Sequence, residues 1–152
     1  MTSTVIREAA PADAAALAGL RWEFRSGRTD PTEAREVFVA RCTEWMRVRL
    51  DRGEWRAWVA EDAGDVVGNV WVHAIDKIPN PVGERERHAY LSNLYVRPSA
   101  RGGTGTRLLE AAIAWASAGG VDTLLLWPTD RSRTLYARHG FVLSGDFLAR
   151  RF

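Results

Sequence analysis

The fold is decided by LYVRPSARGGTGTRLLEAA, residues 94–112, in which a β-like run passes through a glycine-rich bend into a helix. Gly102, Gly103 and Gly105 lack a Cβ, so backbone N–H groups at the bend can approach an anion closely. The helix that begins near Thr104 to Thr106 presents its unpaired N–H groups and the positive end of its dipole to the same anion. The bend therefore predicts a site for a pyrophosphate.

The bend matches neither of two familiar nucleotide-binding motifs. The G-x-x-x-x-G-K-[ST] loop needs a lysine, whereas the cation that follows the glycines is Arg107. The G-x-G-x-x-G motif would need a glycine at the position of Leu108. The sequence therefore predicts neither a P-loop nor a dinucleotide-binding fold.

The segment instead resembles motif A of the GNAT acyltransferases, which usually reads V-x-P-x-x-R-G-x-G-x-G-x-x-L-L. Four residues match it in register: Val96, Pro98, Arg101 and Gly102. Three more match if one residue is missing from the loop: Gly105, Leu108 and Leu109. Without that gap, Thr104 and Thr106 occupy two of the usual glycine positions, so the chain departs from the family in the N–H groups offered to a phosphate.

A second segment, DTLLLWPTDRSRTLYARHGF at 122–141, resembles the strand and helix that end in L-Y-x-x-x-G-F in the same family. We expect a strand from Val121 to Trp127 that Pro128 stops, and a short helix that Asp130 caps and Gly140 ends. The two motifs together identify the chain as a member of the GNAT superfamily. The resemblance implies an acyltransferase, an acetyl-CoA-dependent N-acetyltransferase with acetyl-CoA as its co-substrate.

The order of predicted elements is β-α-α-β-β-β-α-β-α-β. The resemblance implies the GNAT fold, an α/β (α+β) architecture with a mixed central sheet of six to seven strands flanked by four helices. The run Asp30-Pro31-Thr32-Glu33 predicts the start of the second helix, because it combines an N-cap, a proline and a capping-box glutamate. Ala63-Gly64-Asp65 predicts a hairpin turn, and Phe141 to Leu148 predicts a last strand or hairpin.

Length and composition favour one domain spanning residues 1–152, because 46% hydrophobic residues can bury a sizeable core. The start, MTSTVIREAAPADAA, lacks the basic residues and apolar run of an export signal, and no run of eighteen apolar residues occurs. We therefore expect a cytoplasmic protein with no membrane partner.

Cys42 is the one cysteine, which excludes an internal disulfide and a cysteine-based zinc site, and we predict no metal.

The basic residues are dispersed along the chain. The net charge is +2, and the dense cluster is Arg150-Arg151 at the end of the chain. Because a nucleic-acid surface would need a basic stripe with interleaved aromatics, we predict no nucleic-acid partner. Steep salt-dependent binding to DNA or RNA would be the signature of that alternative.

The resemblance also implies where the co-substrate binds. In this fold the strand before motif A splays from its neighbour, and the backbone of Leu94 and Val96 would pair with pantetheine like an added strand. An N–H near Leu94 would hold the thioester oxygen, and Arg101 to Thr106 would hold the pyrophosphate. The predicted co-substrate residues are Leu94, Tyr95, Val96, Arg101, Gly102, Gly103, Thr104, Gly105, Thr106, Ser132 and Tyr136.

Tyr136 is the predicted proton donor to the departing thiolate, because it matches the tyrosine of L-Y-x-x-x-G-F and a phenol has a pKa of about 10. Many family members keep an acidic residue six positions before the valine of motif A, and here that position is Tyr90. His73 is the predicted base, since its intrinsic pKa suits the task. The alternatives are Glu54, Asp76, His88 and a water chain to solvent.

The predicted acceptor is a small-molecule amine. Aromatic walls with one or two carboxylates suit a small cationic amine, and the predicted substrate residues are Trp22, Glu23, Trp71 and Asn93, with the loop DKIPNPVGERER beside them. The sequence leaves open whether the amine belongs to a metabolite, an antibiotic, a lysine side chain or a protein N-terminus. It also leaves open a homodimer, and a domain that binds acyl-CoA as a sensor without turnover.

We expect acetyl-CoA to raise the melting temperature of the protein. A ligand that binds only the native state adds about 2.7 kcal/mol of stability at a hundredfold excess over Kd. The same concentration of NAD or ATP should shift the melting temperature little, because neither nucleotide motif is present. An ATP shift as large as that of acetyl-CoA would contradict the assignment.

Overall fold

The structure is a computed structural model that describes residues 3–152. Five strands form one mixed sheet, in chain order: β1 (Val5–Glu8), β2 (Trp55–Asp62), β3 (Asp65–Asp76), β4 (Arg87–Val96) and β5 (Val121–Leu125). Strands β1 to β4 pair antiparallel, and β5 lies parallel to β4. The mixed α/β architecture is confirmed, with five strands in the described residues instead of the predicted six to seven.

Four α-helices surround the sheet: α1 (Ala14–Ser26), α2 (Arg35–Arg52), α3 (Thr104–Ala118) and α4 (Arg133–Arg138). Three short 3-10 turns precede α1, α3 and α4: Pro11–Asp13, Pro98–Ala100 and Asp130–Ser132. Within the residues that the structure describes, none of the helices has the length and apolar character needed to cross a membrane.

The sheet buries a different set of side chains on each face. Consecutive residues of a strand point to opposite faces, and β3 shows the division directly. Val70 and Val72 pack in one cluster with Leu108 of α3, whereas Trp71 packs in another with Leu17 of α1. Helices therefore cover both faces, and the sheet separates a cluster on the α3 side from a cluster on the α1–α2 side.

The predicted hairpin between β2 and β3 is present. Ala63 has φ 50° and Gly64 has φ 86°, so both central residues of the two-residue turn are left-handed. This is the geometry that matches the twist of paired strands.

The predicted start of α2 is wrong by several residues. The helix begins at Arg35, with Ala34 rather than Asp30 in the capping position. The physical reason lies with Glu33, whose carboxylate pairs with Arg41 on the helix instead of reaching back to a capping backbone N–H. A side-chain partner two turns away therefore replaces the local capping box.

The predicted last strand at Phe141 to Leu148 is also wrong. Phe141 packs edge-on against Tyr136, with ring centroids 5.4 Å apart, but the segment beyond it has no regular structure. Val142 and Leu148 are 86% and 100% exposed. An alternating apolar pattern forms a strand only where a neighbour pairs with it and a face is buried, and neither occurs for this segment among residues 3–152.

An ion-pair cluster joins β1 to the start of α1. The Arg7 guanidinium makes two hydrogen bonds of 2.9 Å to the Asp13 carboxylate and contacts Glu61 of β2 at 2.9 Å. Asp13 also accepts from the Ala10 N–H at 2.7 Å. These contacts, the Arg7 hydrogen bond foremost, lower the pKa of Asp13 from its usual value.

Asp13→Asn should lower the free energy of unfolding at pH 7 by about 1.5 kcal/mol, the low end for a hydrogen bond to a charged group, because the Arg7 side chain is 39% exposed. A carboxylate with a lowered pKa in the folded state stabilises the fold above its unfolded pKa of about 3.9. The difference from wild type should therefore shrink as pH falls from 4 towards 2, as measured by urea unfolding. The exposed Glu44→Gln is the control and should change little at any pH, whereas a pH-independent loss in Asp13→Asn would contradict an ionic contribution.

Candidate functional site

A gap opens between β4 and β5. Their pairing runs only from Arg87 with Val121 to Tyr90 with Leu125, although β4 continues to Val96. Among residues 3–152, the edge of β4 that faces β5 therefore has no strand beside it over the last six residues of β4, 91–96. Backbone groups of an extended ligand can pair with such an edge.

A bulge in β4 lies within the unpaired stretch. The register between β3 and β4 shifts between Asn69 and Trp71, and Asn93 takes a left-handed φ of 59°. Asparagine tolerates this conformation better than most residues. Asn69 is fully buried, and its Oδ1 accepts from Asn93 Nδ2 at 3.0 Å and from Trp71 Nε1 at 2.8 Å. The two amides and the indole hold the bulge in place.

The glycine-rich bend follows directly after β4 and has the open geometry that an anion requires. Gly102 and Gly103 have φ of 121° and 98°, and nothing lies within 4 Å of the position that a Cβ would take on either residue. The first helical hydrogen bond at this end of α3 runs from Arg107 N–H to Gly103 O at 3.1 Å. The N–H groups of residues 104–106 therefore have no helical partner and point away from the helix.

Two side chains of the bend form hydrogen bonds with nearby backbone carbonyls and so fix its conformation. Thr104 Oγ1 donates to Ala100 O at 2.7 Å, and Arg101 Nε donates to Val96 O at 3.1 Å. Thr104 therefore offers its N–H rather than its hydroxyl to a ligand, while the Arg101 side chain ties the bend to the end of β4. The open space, the helix N-terminus and the adjoining β4 edge fit the pyrophosphate and pantetheine parts of acetyl-CoA.

Tyr136 lies on α4, in the cluster on the α3 side of the sheet. It is 8% exposed, and burial raises its pKa to about 12. Leu94 and Val96 belong to the same cluster, so Tyr136 packs with the side chains of the β4 end that faces the gap. Ser132 precedes α4 and bonds to Thr129 N–H at 2.9 Å, so its hydroxyl closes the turn that leads into the helix.

A cavity of about 310 Å³ opens on the other face of the sheet, between α1, α2 and β2 to β4. We call it the tryptophan pocket, because Trp45, Trp55 and Trp71 line it together. The ring centroid of Trp45 lies 5.6 Å from that of Trp55 and 6.3 Å from that of Trp71. The remaining lining residues come from α1, α2 and β4: Arg21, Phe38, Arg41, Cys42, Met46, Ser92 and Asn93. Because Asn93 is the bulge residue, the pocket reaches the stretch of β4 that borders the gap.

Two of the four predicted substrate residues, Trp71 and Asn93, line the tryptophan pocket. Trp22 instead contacts Phe38, with ring centroids 5.7 Å apart. Glu23 forms an ion pair of 2.8 Å with Arg97, and its carboxylate does not line the pocket.

The loop at residues 77–86 lies away from the pocket. It connects β3 to the start of β4, at the opposite end of that strand from the glycine bend. There Lys77 and Glu84 border a separate depression of about 590 Å³ beside Gly119 and Gly120. The structure therefore does not bring this loop together with the other predicted substrate residues.

His73 stacks on Trp55 with ring centroids 4.7 Å apart and an interplanar angle of 20°. Its Nδ1 lies 2.8 Å from Glu54 O. A carbonyl oxygen only accepts, so Nδ1 carries the proton and Nε2 keeps a lone pair. His73 is thus placed beside the tryptophan pocket in the tautomer that can accept a proton.

Several pocket residues escaped the sequence analysis as site residues. On α2, Phe38, Cys42 and Trp45 follow a helical spacing that predicts an inward face, and such a pattern is typical of core residues. Arg21 gave no signal, because a single arginine on a helix reads as a solvated residue.

The fold and the two motifs define an acyltransferase, and comparison with known proteins agrees. Residues 16–141 match the Acetyltransferase (GNAT) family, and the chain belongs to this family. It is an acetyl-CoA-dependent N-acetyltransferase. No match was found among curated proteins.

Solved structures of acetyltransferases share the fold along the whole chain. A predicted acetyltransferase with acetyl-CoA from Clostridium acetobutylicum is 21% identical with a TM-score of 0.80, covering 98% of this chain and 96% of that one. A GCN5-related N-acetyltransferase from Ralstonia eutropha is 24% identical with a TM-score of 0.76, covering 98% and 99%. Glucosamine-6-phosphate N-acetyltransferase from Arabidopsis thaliana is 16% identical with a TM-score of 0.70, covering 99% of each chain.

Gly103→Val should weaken acetyl-CoA binding about tenfold or more, because a branched side chain would fill the space where the pyrophosphate approaches the backbone. Gly120→Val is the matched control. Gly120 also has a positive φ, 72°, and open space around its Cβ position, but it lies at the other end of α3. Both variants should lose about 1–2 kcal/mol from backbone strain. Only Gly103→Val should raise the Kd in calorimetric titration, and equal Kd values would place the pyrophosphate elsewhere.

Proposed function

We propose that the protein transfers the acetyl group of acetyl-CoA directly to the primary amine of a small molecule. The observation that carries this proposal is the unpaired edge of β4, which runs from the glycine bend to the bulge at Asn93. The stretch ends at the glycine bend, which is the candidate anion site, and its bulge at Asn93 borders the tryptophan pocket. A thioester bound along the edge would lie between a site for its own phosphates and a cavity for an acceptor.

The chain's own backbone would bind and polarise the thioester. Leu94 and Val96 would pair with the amides of the pantetheine arm, and an N–H near Leu94 would donate to the thioester oxygen. Charge accumulates on that oxygen as the amine nitrogen bonds to the carbonyl carbon. A donor that is already in place stabilises this charge without reorganisation.

Tyr136 is the proposed acid. As the carbon–nitrogen bond forms, the carbon–sulfur bond breaks and the thiolate of CoA needs a proton. The phenol keeps its proton throughout the physiological range, because its pKa is about 12. Its partners in the cluster, Phe141 and Leu135 among them, exclude water and fix the ring.

His73 is the proposed base. An amine is protonated at neutral pH and must lose a proton before or during attack. Nε2 of His73 can accept it, because Glu54 O holds the ring in the required tautomer. The imidazolium would then pass the proton to solvent at the half-buried mouth of the pocket.

Tyr136→Phe tests the role of the phenol, because it removes one hydroxyl and keeps the ring. The rate of single-turnover acetyl transfer should fall about 10²-fold, the low end for general acid catalysis, since water can partly replace the phenol. KM for acetyl-CoA should change little, because the loss is confined to the transition state.

Rapid-quench measurement separates this loss from slow product release. The melting temperature and acetyl-CoA affinity of the variant serve as controls for its fold. An unchanged single-turnover rate would leave Tyr136 with a packing role only. Wild-type protein that binds acetyl-CoA but releases no thiol with any amine would instead support a sensor.

A further inference from the structure

Arg21 is an unusual component of the tryptophan pocket, because it is a half-buried cation without a counterion. It lies on α1, and its Nη1 donates to Asn93 Oδ1 at 3.2 Å. No carboxylate pairs with it anywhere in residues 3–152, and the neighbouring groups that favour its charged form are Cys42 and Tyr90. Burial, and secondarily Arg25, lower the pKa of Arg21, yet a guanidinium remains charged at neutral pH. Such a group binds an anion readily, because the free-energy cost of removing water from the guanidinium has already been met on folding.

The other charged residue of the pocket lining is already paired. Arg41 lines the pocket as well, but its guanidinium pairs with Glu33 and lies over the Phe38 ring, 5.5 Å from the centroid. Glu23 is held by Arg97. The lining therefore contains two arginines and no carboxylate, which disfavours an acceptor whose only charge is positive.

The rest of the wall is apolar and the space is small. Trp71 commits its Nε1–H to Asn69, so it presents a ring face and edge rather than a donor. Phe38 and Met46 add apolar surface. A volume of about 310 Å³ lies at the lower end for ligand pockets, so it suits a single compact molecule.

We propose that the acceptor is a small amino carboxylate: a primary amine that also bears a carboxylate and an apolar or aromatic side chain. Arg21 binds the carboxylate, the three tryptophans pack against the side chain, and the amine faces the bulge at Asn93. One guanidinium matches a carboxylate, with two parallel donors for its two oxygens, whereas the lining supplies no second unpaired cation for the second charge of a phosphate. The assignment rests on the proposed function, because it names the substrate class of the same site.

Matched pairs of amines that differ only in the carboxylate test the proposal. The first pair is phenylalanine and 2-phenylethylamine, and the second is leucine and 3-methylbutylamine. CoA release measured with a thiol reagent should give a kcat/KM about tenfold or more higher for the amino acid of each pair, the size expected for one charge-assisted contact. Equal values, or a preference for the amine without the carboxylate, would overturn the assignment.

Two arginine variants identify the group that recognises the carboxylate. Arg21→Gln should abolish the preference by raising KM for the amino acids, so that the ratio of kcat/KM for phenylalanine to that for 2-phenylethylamine, measured within the variant, falls towards one. The melting temperature of the variant shows that it is folded. Arg25→Gln is the control, since Arg25 lies one turn further along α1 and is exposed, and it should keep the preference. An unchanged preference in Arg21→Gln would overturn the role of Arg21.

The failures of the two proposals are distinguishable. Acetylation of amines with no carboxylate preference would retain the proposed function and overturn only the substrate class. If O-phosphoethanolamine is turned over better than both amino acids, the anion that the pocket recognises is a phosphate, and the proposed carboxylate is overturned. No thiol release with any of these amines would count against both proposals together.

Discussion

Because β5 pairs with β4 only as far as Tyr90 and Leu125, the last part of β4 keeps one edge without a strand in the described part of the chain, and the glycine bend and the tryptophan pocket both border this stretch. The bulge at Asn93 lies in the middle of it, held by the buried Asn69 amide. The same network includes Trp71, through its indole N–H, and Arg21, through Asn93. A few hydrogen bonds among polar side chains therefore fix both the unpaired edge of β4 and part of the wall of the tryptophan pocket. A change at either asparagine would disturb the two binding regions together.

The sheet divides the site into two environments. On the α3 side, Tyr136 is enclosed by aliphatic and aromatic side chains that keep its phenol protonated. On the α1–α2 side, His73 lies against Trp55 beside the tryptophan pocket. The proposed acid and base thus lie on opposite faces of the sheet. Such a division keeps the two groups from exchanging a proton directly.

Local features of the site were predictable from the sequence, because local residues cause them. The glycine bend needs positive φ at Gly102 and Gly103, and glycine is the residue that adopts it without strain. The hairpin turn at Ala63 and Gly64 has the same kind of cause. The start of α2 was not predictable, because its capping glutamate is taken by Arg41, a contact that only the folded helix creates. The prediction of a last strand was wrong for a related reason, since a strand forms only beside a neighbouring strand and not from an alternating pattern alone.

The tryptophan pocket could not be predicted from the sequence, for a more general reason. Helical spacing shows that Phe38, Cys42 and Trp45 face inward, but it does not show whether the inward face meets another side chain or an empty space. Only the arrangement of α1 and α2 over the sheet leaves a cavity there. The unpaired charge of Arg21 is equally invisible, because a sequence does not show which carboxylates are already engaged. Sequence motifs therefore predicted the glycine bend, whereas the tryptophan pocket needed the three-dimensional arrangement.

The clustering of indole rings also has an optical consequence. Three of the seven tryptophans of the chain line a single small cavity. Trp55 contacts each of the other two edge to face, and the Trp45 and Trp71 rings are tilted relative to each other. Indole emission responds to the polarity of its surroundings, so replacing solvent in this cavity by an apolar group would shift a large share of the intrinsic fluorescence. The glycine bend and the free edge of β4 carry no tryptophan between residues 91 and 106. The protein therefore has a built-in spectroscopic signal for the occupation of the tryptophan pocket.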